Sequence, residues 1–318
     1  MKKILCVLMS CLLFVMAGCS GHSKNLKFGA ADIGGVYYSF ASTFTQLADK
    51  EIDGYTFETK TTAGSVANLR LISDGYIDLA IVQADLLSDA YNATGTFADK
   101  KYQKGYKAIA SLYTECCQIV VRKDSGITGI DDLINKTVSV GASESGSEKN
   151  AEQILKMSGI TDELINKVNM DYTEAAEKLK AGEIDAFFCT AGTRTEVIGQ
   201  LSKECDICLI SLDDKCIDKM LSAYSLCEKY TIPAGTYNGQ DSDVTTIGVK
   251  AVLIAKQSLS DDVIKNVTKT IYEHADDFKY ATSLDISFDI NTADGVDIPF
   301  HSGAAAYYTE RGINVLTE

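Results

Sequence analysis

The chain has 318 residues, 46% of them hydrophobic, only two prolines and no long polar tract, which excludes a disordered or fibrous protein and leaves room for two domains. Its formal charge of −14 and its four arginines, Arg70, Arg122, Arg194 and Arg311, exclude the basic face that a phosphate backbone requires, so nucleic acid is not an expected partner. A small anionic molecule stays open, because a cleft can be locally positive on a negative surface.

The first residues point to a compartment. Lys2 and Lys3 precede the apolar run "ILCVLMSCLLFVMAG" at 4–18, and Cys19 follows Ala17 and Gly18. This resembles a bacterial lipoprotein leader, with Met16 where Leu or Val is more usual. It implies a signal peptide over 1–18, lipidation at Cys19, a tether over 19–25, and an extracytoplasmic protein lipid-anchored to the cell membrane, on its periplasmic side or outer face. The apolar stretch is short for a retained transmembrane anchor, which needs about 18 to 20 residues. Loss of Lys2 and Lys3 with the leader takes the charge from −14 to −16.

From residue 26, "LKFGAADIGGVYYSFASTFTQLAD" predicts a strand, a glycine turn and a helix with Phe40, Phe44 and Leu47 on one face. Gly34 and Gly35 stand where the backbone can approach a ligand closely, and Tyr37 and Tyr38 follow them. "YTFETKT" at 55–61 alternates as a strand, a helix covers 65–74, and "IDLAIVQ" is a buried-type strand ending at Gln83, with Asp85 just beyond. This rhythm predicts parallel sheets covered by helices, which bind ligands beyond the carboxyl ends of their strands. Gly64 and Ser65 at a helix start and Gln83 at a strand end then face one crevice. The free N–H groups of a helix start suit a carboxylate. Capping by Thr62 or Ser65 explains one such start. It does not explain a recurrence.

The recurrence lies further along. "EAAEKLKAGEIDAFFCTAG" at 174–192 aligns with the first unit on a shared Gly-x-Ile-Asp, placing Gly75 on Gly182, Ile77 on Ile184, Asp78 on Asp185 and Gln83 on Thr190. Before it, the loop "SESGSE" delivers Ser145, Gly146 and Ser147 to another helix start, a twin of the first loop. It lacks the lysine of a P-loop and the spacing of a dinucleotide fingerprint. The second strand end continues through Thr190, Ala191 and Gly192 to Arg194, which is either a forked carboxylate clamp or a solvated residue of the next helix. Two long apolar strands, 108–122 and 246–256, bracket the second region as crossings, so 26–112 with 247–318 is expected to form lobe I and 113–246 lobe II.

Seven cysteines follow Cys19. "CDIC" at 205–208 has the spacing of half a zinc site, but the second pair is missing and Cys208 alternates into a strand, so no metal site and no cofactor are expected. Three histidines, no nucleophile with a motif-linked base and no glycine-rich elbow argue against a catalytic site. Asp32, Asp85 and Glu148 near the crevice would serve either as acid and base or as partners of an amino group.

In order along the chain, "GGVYY", "TAGSVANLRLISDG", "DLAIVQAD", "SVGASESGSEKNA", "DAFFCTAG" and "IPAGTYNGQD" resemble the TAXI family of solute receptors for TRAP transporters. The resemblance implies a periplasmic-binding-protein fold, type II-like, with two α/β lobes, each a mainly parallel sheet with flanking helices, and a ligand cleft between them. It further implies a monomer that hands a small-molecule ligand unchanged to the membrane subunits of an ion-driven permease. The implied ligand is a glutamate-like amino acid or an organic acid. Relatives carry a proline-containing segment after the second Ala-Gly, where this chain has Thr193 and Arg194. In the resulting picture the helix starts at Ser65 and Ser147, with the hydroxyl of Tyr38, hold a carboxylate, and Asp85 is the candidate for an ammonium group. A sensory or adhesive lipoprotein without a permease, or an enzyme on the same fold, are the alternatives.

Overall fold

The computed structural model describes residues 23–98, 102, 104–284 and 293–318; Cys19 and the leader lie outside them. The first unit is β1 (Lys24–Gly29), α1 (Val36–Glu51), β2 (Tyr55–Lys60), α2 (Ser65–Ser73) and β3 (Leu79–Gln83), followed by α3 (Ala84–Asn92). Leu26 and Phe28 alternate inward on β1, and α1 buries Tyr37, Phe40, Ala41, Phe44 and Ala48 at helical spacing against them. β1 pairs in parallel with both β2 and β3.

The second unit repeats the first. It consists of β5 (Thr137–Ser139), α4 (Gly146–Met157), β6 (Asn166–Val168), α5 (Tyr172–Ala181) and β7 (Ala186–Ala191), with β5 parallel to β6 and β7. The two half-sheets, β2-β1-β3 and β7-β5-β6, are joined by two long antiparallel strands, β4 (Tyr106–Arg122) and β10 (Val244–Lys256). β8 (Ile207–Leu209) pairs with β4 and β9 (Cys227–Ile232) with β10. α6 (Glu196–Glu204), α7 (Asp214–Ala223), α8 (Asp261–Glu273), α9 (Ala275–Thr282) and α10 (Ser302–Thr309) complete the covering layers. Val138, Ile154, Phe188 and Met220 form a separate core on one face of the second half-sheet, whereas Leu179, Phe187 and Ile198 on its other face are continuous with the first core. No helix among the described residues is long and apolar enough to cross a membrane.

The shared Gly-x-Ile-Asp has a structural job in both units. Gly75 (φ 84°) and Gly182 (φ 74°) take the left-handed conformation just past α2 and α5, which ends each helix. Ile77 and Ile184 are buried. Asp78 donates its N–H to Lys27 O at 2.8 Å and accepts from Lys27 N at 2.9 Å, and Asp185 does the same with Thr137 O and N, both at 2.8 Å. Each aspartate thus pins the third strand of its unit onto the first. Cys208 lies in β8, and the seven cysteines of the described residues are free thiols. No metal-binding cluster occurs among the described residues.

Candidate ligand-binding site

The two units converge midway along β4. Gln83, the last residue of β3, is opposite Ala251 of β10, which is opposite Tyr113 of β4; Ala191, the last residue of β7, is opposite Cys116. Glu115 stands between these two points and is 2% exposed. The carboxyl ends of both third strands therefore open onto one place, where a cavity of about 40 Å³ lies.

Ten of the residues expected at the site line this cavity: Gly35, Tyr37, Gly64, Ser65, Gln83, Ser145, Gly146, Ser147, Thr190 and Ala191. Asp32, singled out above as a nearby acid, lines it too. The sequence reading missed Glu115, Asp171 and Tyr172.

Local chemistry explains why these residues stand there. Gly64 precedes α2 with φ 121° and ψ −150°, a conformation side chains avoid, and an added Cβ would lie 3.4 Å from Ser145 Cα. A Cβ on Gly146 would lie 2.4 Å from Gln83 Oε1, so the Gln83 amide rests directly on the start of α4. Asn68 in α2 donates to Ala30 O at 2.7 Å and Ile81 O at 2.9 Å, fixing that helix over the ends of β1 and β3. Ser65 Oγ accepts from Gln83 N at 3.1 Å, and Ser147 Oγ accepts from Thr190 N at 2.8 Å. In both halves a helix-start serine thus receives the N–H of the strand-end polar residue.

The two serines are nevertheless not topological twins. α4 follows the first strand of its unit, as α1 does, and the equivalent of α2 is α5. The 107-residue offset that places Gly75 on Gly182 also places Gly64 on Asp171 and Ser65 on Tyr172. Asp171 caps α5 by accepting from Glu174 N at 2.8 Å. The Tyr172 hydroxyl donates to Thr190 O at 2.9 Å and shares a 2.5 Å bond with Ser147 Oγ. Ser145 Oγ caps α4 on Glu148 N at 3.0 Å, while Glu148 Oε2 accepts from Glu144 N at 2.9 Å, so Glu148 secures the loop and does not line the cavity.

Burial pushes the Glu115 carboxyl up to about 8; hydrogen bonds from Tyr37 and Gln83 pull it partly back, and Asp85 pushes it further. The Tyr37 hydroxyl donates to Glu115 Oε2 at 2.8 Å. Burial likewise raises the hydroxyls of Tyr37, Tyr113 and Tyr172 well above their ordinary range, which keeps them neutral. Asp32 is raised by burial and by Asp171. Gln83 Oε1, Thr190 Oγ1, Tyr113 OH and Asp32 Oδ2 are buried without a hydrogen-bond partner, and each such group costs about 1–3 kcal/mol. The arrangement can offer a polar solute several acceptors and donors from both halves at once.

Contacts across the cavity draw the halves together. Arg70 forks onto Glu144 at 2.7 and 3.3 Å, Ala67 N donates to Glu144 O at 3.1 Å, and Gln83 Nε2 donates to Asn150 Oδ1 at 3.0 Å.

Five expected residues fall elsewhere. Tyr38 is half-buried against the first core, and its neighbour Tyr37 supplies the hydroxyl. Asp85 is buried in the first turn of α3 off the cavity wall, with its carboxyl pushed up to about 6 by burial, whereas Glu115 lines the cavity. Gly192 lies under Leu284. Arg194 is exposed, with φ 65°, and lines with Gly34 and Lys203 a separate groove of about 300 Å³, which fits the solvated alternative.

Several solved structures are similar. They include the periplasmic binding protein BugD, at 11% identity and TM-score 0.55 over 81% of this chain and 85% of that one. A putative L-cystine ABC transporter from Listeria monocytogenes matches at 13% and 0.52 over 83% and 96%. A binding protein component of an ABC phosphonate transporter from Pseudomonas aeruginosa matches at 12% and 0.52 over 82% and 78%. At such identities the likeness establishes the fold, that of two-lobed periplasmic binding proteins. The family model spans the chain from β1 to just past α10, matching residues 28–312, and the protein belongs to the NMT1-like family.

Proposed function

We propose that this protein is an extracytoplasmic solute-binding lipoprotein, anchored through Cys19, that captures a small carboxylate-bearing solute between two lobes and delivers it unchanged to a TRAP-type secondary transporter. One observation carries the reading: strand ends and serine-bearing helix starts from two repeated units converge on one cavity. We assign 26–112 and 247–318 to lobe I and 113–246 to lobe II, with β4 and β10 as the crossings. A cavity of about 40 Å³ has room for about one water, so a solute enters only when the halves part and the Gln83 side chain swings off α4. On closure the N–H groups at the starts of α2 and α4 receive the carboxylate, and Gln83 and Thr190 bind from opposite sides. The protein acts as a monomer and without a cofactor.

Delivery to a TRAP permease is supported by the run of motifs that resembles the TAXI receptors. Delivery to an ABC transporter is the second reading, favoured by the roles of two fold neighbours. Uptake of a solute that raises the melting temperature of the purified protein separates the two, measured in cells carrying this chain with its cognate permease. Collapse of the ion gradients at constant ATP should abolish uptake; uptake that survives collapse and stops on ATP depletion would replace the first reading by the second. Recovery of a chemically altered solute would overturn both in favour of an enzyme.

A further inference from the structure

We propose that Glu115 selects a solute bearing a cationic ammonium group, and that capture expels the proton of its buried carboxyl. The inference rests on the solute-receptor reading and adds the charge of the solute. Three cavity-lining residues are acidic, Asp32, Glu115 and Asp171, and no lining residue is Lys, Arg or His. Glu115 is held in place on the strand that joins the two units, with Tyr37 donating to one of its oxygens at 2.8 Å.

The groups that face Glu115 leave it without a cation. From α1 comes Tyr37, from β4 Tyr113 and Cys116, from the end of β3 Gln83, from α3 Asp85, from α5 Tyr172 and from β7 Cys189. Burial raises every hydroxyl and thiol in this set, so all stay neutral near pH 7, and Asp85 adds a negative neighbour. A ligand carboxylate placed here would meet further acids in a water-poor site. An ammonium group is attracted by them instead.

The proton balance is simple. In the solute-free closed form Glu115 is a neutral carboxyl; as the halves part to admit the solute its proton passes to bulk water, and the resulting carboxylate accepts an N–H of the ligand's ammonium group in the complex. One neutral acid and one cation become one ion pair and one released proton. The ligand's own carboxylate is then left for the N–H groups at the starts of α2 and α4, which line the same cavity. The class implied is a zwitterionic amino acid, and a dicarboxylate of the same length is rejected.

Titration calorimetry on the purified chain tests this, with the common L-amino acids and the desamino analogue of each, including glutarate against glutamate, in phosphate and in Tris. At pH 7 the difference in heat should report release of about 0.9 proton per bound amino acid. Affinity should rise about tenfold from pH 6 to pH 7 and level off above pH 8. The desamino analogue should bind at least a hundredfold more weakly, and Glu115→Gln should lose both the proton release and the pH dependence. Equal binding of an analogue with no proton release would sink the inference and leave the receptor reading standing. Absence of binding by every amino acid and every analogue would remove the receptor reading itself. The wild-type buffer series decides the matter even if Glu115→Gln does not fold.

Discussion

Replacing Glu115 by glutamine should stabilise the solute-free protein, and should do so more strongly as pH rises. The carboxyl ordinarily titrates at 4.5 and is held at about 8 in the fold, chiefly by burial. Between these values the folded chain keeps a proton that the unfolded chain has lost, so this group lowers stability as pH rises and its effect is constant above 8. At 1.36 kcal/mol per pH unit, the cost accumulated between 4.5 and 7 is about 3 kcal/mol. Glutamine keeps an oxygen to accept from Tyr37 and has no charge to hold, so the variant should escape that cost. Urea unfolding of both proteins at pH 6, 7 and 8 measures the gap. Asp85, raised to about 6, adds a slope of its own at lower pH, and starting at pH 6 keeps most of it out of the comparison. The gap should widen by about 1.4 kcal/mol from pH 6 to pH 7, and at pH 7 should correspond to a rise of about 6 °C in melting temperature. A gap that is flat from pH 6 to pH 8 would show that Glu115 is not held protonated.

Further substitutions probe the frame of the site. Gly64→Ala forces a Cβ into φ 121° and should cost about 1–3 kcal/mol, read as a lower urea midpoint; an unchanged midpoint contradicts the strained turn. Ser147→Ala strips Thr190 N of its acceptor, so stability should fall by about 1–3 kcal/mol and amino-acid affinity by about tenfold in calorimetry, whereas wild-type values for both would misplace the site. Arg70→Ala removes a half-exposed ion pair and should change global stability by less than about 1 kcal/mol, yet hydrogen exchange at the Ala67 amide should speed up as the halves part more often. Cys19→Ala should abolish incorporation of labelled fatty acid, and labelling equal to wild type would refute the lipid anchor.

Much of the frame was legible because one physical signal occurs twice in the chain. The Gly-x-Ile-Asp repeat marks a helix end, a buried contact and a strand pin, and these jobs tolerate few residue types, so both third strands could be located with their terminal polar groups. The same offset, carried back to the helix starts, points to Asp171 and Tyr172, which an eye set on serines and glycines passes over. Tyr37 and Tyr38 differ by 100° of helix rotation, and the spacing of Tyr37 to Phe40 and Phe44 was the available sign that Tyr37 faces inward. Glu115 was hidden for a different reason. An apolar crossing strand announces itself by its hydrophobic run, and which of its few polar residues meets the cavity depends on long-range pairing with β10 and β7. The Ser145–Ser147 loop was found by composition, but its place in the unit follows from strand order, which residue pattern alone does not encode.

The central claim, capture of a small solute between two lobes, is tested most directly by native mass spectrometry of the protein purified from its own cell envelope. The account predicts a one-to-one adduct that denaturation releases as an intact small molecule with both an amino and a carboxyl group, and that Ser147→Ala retains less well. Adduct-free protein that no small amino acid or carboxylate protects against heat, or release of a chemically altered compound, would contradict it.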